Sequence, residues 1–294
     1  MISQLFRPFS PNSVRHHLSD GGGSKPARRQ SATALIVGAL LCGLPQIATA
    51  ASCGNTSSGF EAWKSGFAKE AKRAGVRQAG LTALASTTYA RRTIAADRNQ
   101  KSFRYSLDKF MQVRGANTII AQGRKRKARN SEFFAALERK YGVPAGILIA
   151  IHGMETAFGN YMGDSKVVSA IVTLTYDCRR SDFFKPHALG ALKLVDRGAI
   201  TGATKGAKHG ELGHTQFLPG NALNYGVDWD GNGRVDLYKM GDALASTAYF
   251  LRKKGWKPGR GYQQGEPNYR VLKEWNAATV YQQSLAIMGR KIDG

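Results

Sequence analysis

Between Pro144 and Gly159 the chain reads Ala-Gly-Ile-Leu-Ile-Ala-Ile-His-Gly-Met-Glu-Thr-Ala-Phe, with a single carboxylate and neither Lys nor Arg. Pro suits the first turn of a helix and Gly suits its end. Ile147, Ile151, Met154 and Phe158 recur at helical spacing and define an apolar face. A helix with so little to offer water has to be packed against other elements. Glu155 borders the apolar face in the last turn. Burial and the negative end of the helix dipole both disfavour its ionised form. A carboxylic acid kept protonated near neutrality is what a proton donor to a glycosidic oxygen needs. The same pattern also fits an exposed Glu at the edge of a core helix.

The first 50 of the 294 residues read as a leader. Lys25, Arg28 and Arg29 precede an apolar run at 32–44, and Ala48-Thr49-Ala50 offers a small-residue cleavage site. The apolar run is too short to span a membrane comfortably, and no other segment is apolar enough to try. The expectation is a periplasmic protein, secreted through a cleaved signal peptide. The formal charge is +23. Setting aside residues 1–50, with five basic residues and one acid, leaves +19. Such a surface favours anionic partners. In an envelope compartment these are wall polymer or lipid head groups, and no zinc-finger or RNA-binding motif points to nucleic acid. The run Arg-Lys-Arg-Lys-Ala-Arg at 124–129 reads as a solvated helix face. Cys53 and Cys178 remain after leader removal, an even pair in an oxidising compartment. A disulfide between them is expected, with two free thiols as the alternative that spacing leaves open.

Helical periodicity marks residues 60–74 (Phe60, Trp63, Phe67 and Ala71 on one face), a short segment around Leu81 and Leu84, and residues 102–110 and 116–124. Ser131 reads as the N-cap of a helix reaching Tyr141, and 183–195 and 242–253 follow the same pattern. Strand signals are few: 225–228 and 234–238 predict a short hairpin around a Gly-rich turn. That turn lies in Asp228-Trp-Asp230-Gly-Asn232-Gly-Arg234-Val-Asp236, whose oxygen side chains fall at positions 1, 3, 5 and 9 of an EF-hand loop with Gly at 6. Position 12 is Lys239 instead of Glu, and Asp242 three residues on offers a closing ligand. Asp228, Asp230, Asn232, Asp242 and the Arg234 carbonyl form the expected calcium set, against a plain Asp/Asn/Gly turn. In Gly210-Glu-Leu-Gly-His-Thr-Gln-Phe-Leu-Pro219, glycines allow close backbone approach, Gln216 offers donor and acceptor to an N-acetyl group, and Glu211 is a second carboxylate.

The ordered set of motifs resembles the lytic murein transglycosylase B family over nearly the whole of residues 59–292. The set is Tyr-Gly-Val-Pro at 141–144, Gly-x-Glu-Thr-x-aromatic-Gly at 153–159, Tyr-Asp-x-Arg-Arg at 176–180, Gly-x-x-Gln-Phe-x-Pro at 213–219, the acidic loop at 228–242, and Asn-x-x-x-x-Tyr at 276–281. The resemblance implies a mainly α fold: a helical N-terminal region (51–140) on a lysozyme-like core (141–294) carrying the small hairpin and EF-hand-like calcium loop. It implies Glu155 as the sole acid/base, with Gln216, Asn276 and Tyr281 near the glycan; Tyr249 and Glu211 complete the expected substrate-binding group. The chain departs from the family at Ala207-Lys208-His209, at Gly220-Asn221-Ala222 and at Ala248-Tyr249, which bears on subsites and not on the reaction.

The expected activity is cleavage of the bond between N-acetylmuramic acid and N-acetylglucosamine in peptidoglycan, with a 1,6-anhydro product. One carboxyl would serve both steps, with no cofactor in the chemistry and a structural calcium ion at most. The expected partners are glycan strands, with no nucleic acid and no membrane association beyond the leader, acted on by a monomer. The rivals are a hydrolase in which Glu211 or Asp177 activates water, and an inert wall-binding protein.

Overall fold

The computed structural model describes residues 52–99 and 104–294, which fall within one compact unit. The expected leader lies outside the described residues. Thirteen α-helices occupy the described residues: α1 (Phe60–Arg73), α2 (Gln78–Ala85), α3 (Arg91–Arg98), α4 (Leu107–Val113), α5 (Ala116–Arg129), α6 (Ser131–Tyr141), α7 (Ala145–Thr156), α8 (Val167–Tyr176), α9 (Ser181–Asp196), α10 (Pro219–Tyr225), α11 (Met240–Lys253), α12 (Leu272–Trp275) and α13 (Thr279–Asp293). The sheet is vestigial: β1 (Ser165–Lys166) pairs antiparallel with β2 (Lys205–Gly206).

The α1 stripe buries Phe60, Trp63, Phe67 and Ala71, and Trp63 stacks on Phe67 at 4.7 Å between ring centroids. Lys64 lies on the buried side too. Its ammonium donates to the carbonyls of Ala85 (3.1 Å) and Thr87 (2.7 Å), satisfying the open end of α2. The opposite end of α2 is capped from a distance: Asp196, last residue of α9, accepts from the amides of Arg77 (2.6 Å) and Gly80 (2.7 Å), as the exposed donors of a helix start require.

The helix α7 is the centre of the molecule. Every one of its twelve residues is buried, so it is covered on all sides and not along one face as the periodicity predicts. It packs against α13 and α5. The α7–α13 crossing is close because Gly146 has no side chain; a Cβ there would stand 2.2 Å from the Gly289 carbonyl oxygen. Asp293 at the end of α13 accepts from the Gly146 amide (2.8 Å) and pairs with Lys127 of α5 (3.1 Å), tying the three helices at one end. The basic run at 124–129 is accordingly only partly solvated: Lys127 makes this pair, and the Arg126 guanidinium lies 4.4 Å from the Phe158 ring centroid.

The structure differs from the sequence reading at several elements. The start of the expected helix at 102–110 lies outside the described residues; α4 covers Leu107–Val113, where the Ser106 side chain accepts from the Lys109 amide. The helices α3, α8 and α10 were not anticipated. The hairpin predicted at 225–238 is absent among the described residues. Tyr225 ends α10, and the amides that would have formed a ladder go to carboxylates: Gly231, Asn232 and Gly233 to Asp228, Trp229 and Asp236 to Asp242. Cys53 and Cys178 are joined, with Cα atoms 4.9 Å apart.

Candidate active site

Glu155 sits in the last turn of α7, 3% exposed. Two donors converge on its Oε1: the Tyr281 hydroxyl at 2.5 Å and the Trp275 indole Nε1 at 3.2 Å. Both come from the C-terminal segment, Trp275 from α12 and Tyr281 from α13, and both are buried. Trp275 is held on its other sides by Phe217 (5.3 Å) and Phe250 (5.5 Å), each edge to face. Burial, the Glu155 charge and the hydrogen bond to it drive the Tyr281 hydroxyl well above its ordinary range, so it remains a donor at any working pH. Trp275 is the partner of Glu155 that the sequence reading missed. The signal was there: a buried Trp needs a partner for its N–H, and this one precedes Asn276.

The backbone after Glu155 is unusual. Ala157 (φ 48°) and Phe158 (φ 64°) are both left-handed, and Gly159 (φ 91°) follows. Non-glycine residues in this region cost roughly 1–3 kcal/mol each and persist only where surroundings enforce them. Here Thr156 does so in part: its Oγ1 donates to the His214 carbonyl (2.7 Å) and accepts from the Gly159 amide (2.9 Å). The third left-handed non-glycine is Gln216 (φ 56°). Its amide nitrogen donates to the Gly213 carbonyl (2.8 Å), its own carbonyl Oε1 has no hydrogen-bond partner, and the side chain is buried. The non-glycine strain of the described residues is thus confined to the Glu155 helix end and to Gln216.

Glu211 is inaccessible. Its Oε2 accepts from the His209 amide (3.3 Å), while Oε1 has no hydrogen-bond partner. Burial, reinforced by the charge of Glu155, pushes its carboxyl up to about 7. His209, with Nδ1 3.9 Å from Glu211 Oε1, brings no charge to it, because burial and the neighbouring Arg180 lower the imidazole to about 3. Asp177 is engaged elsewhere, paired with Arg98 at 2.9 Å.

Asn276 is buried beside Trp275 and accepts from the Ala278 amide (2.9 Å) while its carbonyl accepts from Gln282 (2.9 Å), so it shapes the turn into α13. Tyr249 stands between the rings of Tyr141 and Tyr225 (6.0 and 6.4 Å); it is Phe250, its neighbour, that packs on Trp275.

In the acidic loop, ligand oxygens of Asp228, Asp230 and Asp242 lie within 4.8 Å of one another. Three converging carboxylates with no nitrogen or sulfur donor suit a hard cation such as calcium. Asn232 contributes turn geometry, its amide donating to Asp228 and Asp230 and its Oδ1 accepting from the Arg234 amide (3.0 Å). Lys239, at the position where an EF-hand has Glu, places its ammonium 3.1 Å from Asp230 Oδ2. The set fits calcium, with Lys239 as a tethered competitor on one of its ligands.

The fold has counterparts among solved structures. SltB3 of Pseudomonas aeruginosa, solved with NAG-NAM-pentapeptide, superimposes with a TM-score of 0.73 at 25% identity over 80% of each chain. Escherichia coli Slt35, solved with calcium, gives 0.67 at 19% identity over 84% of this chain and 97% of that one, a likeness of fold. Membrane-bound lytic murein transglycosylase B of Escherichia coli K12 is 32% identical over 137 residues, 44% of this chain and 38% of that protein's length. The architecture is the mainly α, lysozyme-like fold of these lytic transglycosylases. The transglycosylase SLT domain model matches residues 59–266, and the chain belongs to that family.

Proposed function

We propose that this protein is a peptidoglycan lytic transglycosylase with Glu155 as its single acid/base. The observation that carries the reading is the pair of donors on one oxygen of a buried carboxyl: the Tyr281 hydroxyl and the Trp275 indole N–H both reach Oε1 and hold the group in place to deliver a proton. Glu155 gives that proton to the glycosidic oxygen between N-acetylmuramic acid and N-acetylglucosamine, and the C1–O bond breaks. The positive charge at C1 is eased by substrate groups. Glu155, now a carboxylate steadied by the same two donors, takes the proton of the muramic C6 hydroxyl as that oxygen bonds to C1. The product is a 1,6-anhydro end, and Glu155 is protonated again. The same two donors hold the carboxyl in place through both halves of the cycle.

Gln216 and Asn276 are the proposed contacts to the N-acetylated sugars, with Tyr249 and Glu211 bordering them. The left-handed Gln216 and its buried, unengaged carbonyl support this for Gln216. Glycan strands are the substrate, the cell envelope is the site of action, and residues 1–50 act as the export signal of a monomer. Calcium, held by Asp228, Asp230, Asp242 and loop carbonyls, would neutralise the loop and take no part in the chemistry.

The second reading, hydrolysis, draws on Glu211, a second buried carboxyl, which burial pushes up to about 7. Mass spectrometry of soluble products from purified peptidoglycan separates the two, since an anhydro end is one water lighter than a reducing end. Glu155→Gln should abolish product release while leaving glycan binding, a loss of at least ~100-fold to 10⁴-fold for a general acid/base. Activity of that variant within a few-fold of the parent would remove Glu155 from the mechanism.

A further inference from the structure

His214 joins the catalytic helix to the acidic loop by four separate contacts. Its carbonyl accepts from Thr156, the residue after Glu155 (2.7 Å). Its amide donates to the Leu237 carbonyl (2.9 Å). Its Nε2 lies 3.1 Å from the Tyr238 carbonyl, and its Nδ1 lies 2.9 Å from Nε2 of His152, one turn before Glu155. The ring also fills the place where a Gly159 side chain would be, 2.4 Å from a built Cβ.

The proton positions follow from the acceptors. A backbone carbonyl only accepts, so His214 Nε2 carries the hydrogen for Tyr238. A neutral His214 then presents Nδ1 as an acceptor, and His152 Nε2 must donate to it. Both rings are neutral in this string. Burial supports that state, lowering His152 to about 3 and His214 below its ordinary value. The string runs in one direction only, from His152 through His214 to the backbone of a loop whose next turns are fixed by Asp236 and Asp242.

We propose that His214 is a positioning residue for Glu155: it clamps the left-handed end of the Glu155 helix to the acidic loop, so that the carboxyl is aimed by the loop as well as by Trp275 and Tyr281. This rests on Glu155 being the acid/base. A hydrophobic residue of similar bulk in place of His214 keeps the volume but leaves the His152 N–H and the Tyr238 carbonyl unmatched. The helix end then relaxes from its left-handed turn and the carboxyl shifts. A misplacement of ~1 Å is enough for about 100-fold in rate.

The test compares His214→Leu, His214→Gln and His152→Phe with the unmutated protein on a defined glycan substrate. His214→Leu should lower kcat at least about tenfold with KM within about twofold, as expected when geometry and not binding is lost. His214→Gln, which can donate to Tyr238 and accept from His152, should restore kcat to within about threefold. His152→Phe cuts the same string, so the double variant should lose no more than the worse single one. An unchanged kcat in His214→Leu, equal losses in His214→Leu and His214→Gln, or losses that multiply in the double variant would each overturn the proposal. A readout independent of activity is the imidazole ¹⁵N spectrum of the unmutated protein: both rings should be neutral and protonated at Nε2, and a His214 protonated at Nδ1 would overturn the clamp even if the variants do not fold. Absence of anhydro product from the unmutated protein would instead strike at the reaction, leaving the spectrum to judge the string.

Discussion

Removing the Cys53–Cys178 bridge, by changing both residues to Ala, perturbs the unfolded chain more than the folded one. The two cysteines are 125 residues apart in sequence. The chain-entropy relation gives about 16 cal/mol/K for a loop of that length, or about 5 kcal/mol at 25 °C, and measured values usually fall to about 2–4 kcal/mol. The folded side has its own fastening at this point. The Gly54 amide donates to the Tyr176 carbonyl (2.9 Å), and the Cys178 amide to the Gly54 carbonyl (3.3 Å). The Tyr176 ring packs on Phe60 and Trp63, each at 5.4 Å. The N-terminal segment around Gly54 should therefore stay docked without the bridge. For a chain of this size each kcal/mol moves the melting temperature by about 2–4 °C, so the expected fall is roughly 5–15 °C. Urea unfolding should show a lower midpoint and a steeper slope, since the released unfolded chain exposes more surface. Turnover at 25 °C should be unchanged, because the partners of Glu155 lie in α12 and α13. A melting temperature within about 1 °C of the parent, with the slope unchanged, would refute the loop-entropy argument.

Two other outcomes follow from the charges. Calcium should raise the melting temperature of chelator-stripped protein, by the equivalent of about 2.7 kcal/mol at 100 times its dissociation constant; Lys239→Met should bind calcium more tightly by freeing Asp230, Asp242→Asn should bind it less, and an identical titration for all three proteins by calorimetry would dismiss the loop as a site. Glu211, raised from 4.5 to about 7 by burial and by Glu155, holds its proton more firmly folded than unfolded; its contribution is full below pH ~4.5 and lost as pH rises through ~7, on the order of 3 kcal/mol at most. Glu211→Gln should remove that decline from urea midpoints measured between pH 4.5 and 8, and equal declines in both proteins would refute the assignment.

What the sequence disclosed about the fold depended on how each helix is solvated. The helices α1 and α6 show a stripe of apolar residues against polar ones, and periodicity finds them. The helix α8 shows no such contrast: Val-Val-Ser-Ala-Ile-Val-Thr-Leu-Thr-Tyr is buried on every side, so no period stands out, and its β-branched residues speak against a helix locally. Packing against α9 overrides that preference. The absence, among the described residues, of the hairpin expected at 225–238 has a different cause. Alternating residues at 234–238 read as a strand only if their amides are free to pair, and the pattern does not reveal that Asp242, from the next helix, has claimed the Asp236 amide.

The site divides along similar lines. Glu155 was legible because a lone acid in an apolar helix is rare and its flanking motif is distinctive. Tyr281, 126 residues further along, is placed by the resemblance near the glycan, and its bond to Glu155 is visible only in the fold. Trp275 and His214 were both in view as letters but had no visible partner, and a donor becomes a functional residue only when something is found to accept. Chain folding supplies that acceptor by bringing α7, α12 and α13 to one point. The same logic explains why strain concentrates here. A turn that leaves an α-helix through two left-handed non-glycine residues is unfavourable in isolation, and no local signal announces it. It survives because Thr156, His214 and the Arg126–Phe158 contact hold it from three directions. The placement of the Glu155 carboxyl is therefore a property of tertiary contacts, and if Glu155 is the acid/base as proposed, substitutions at those positions should alter rate before they alter binding.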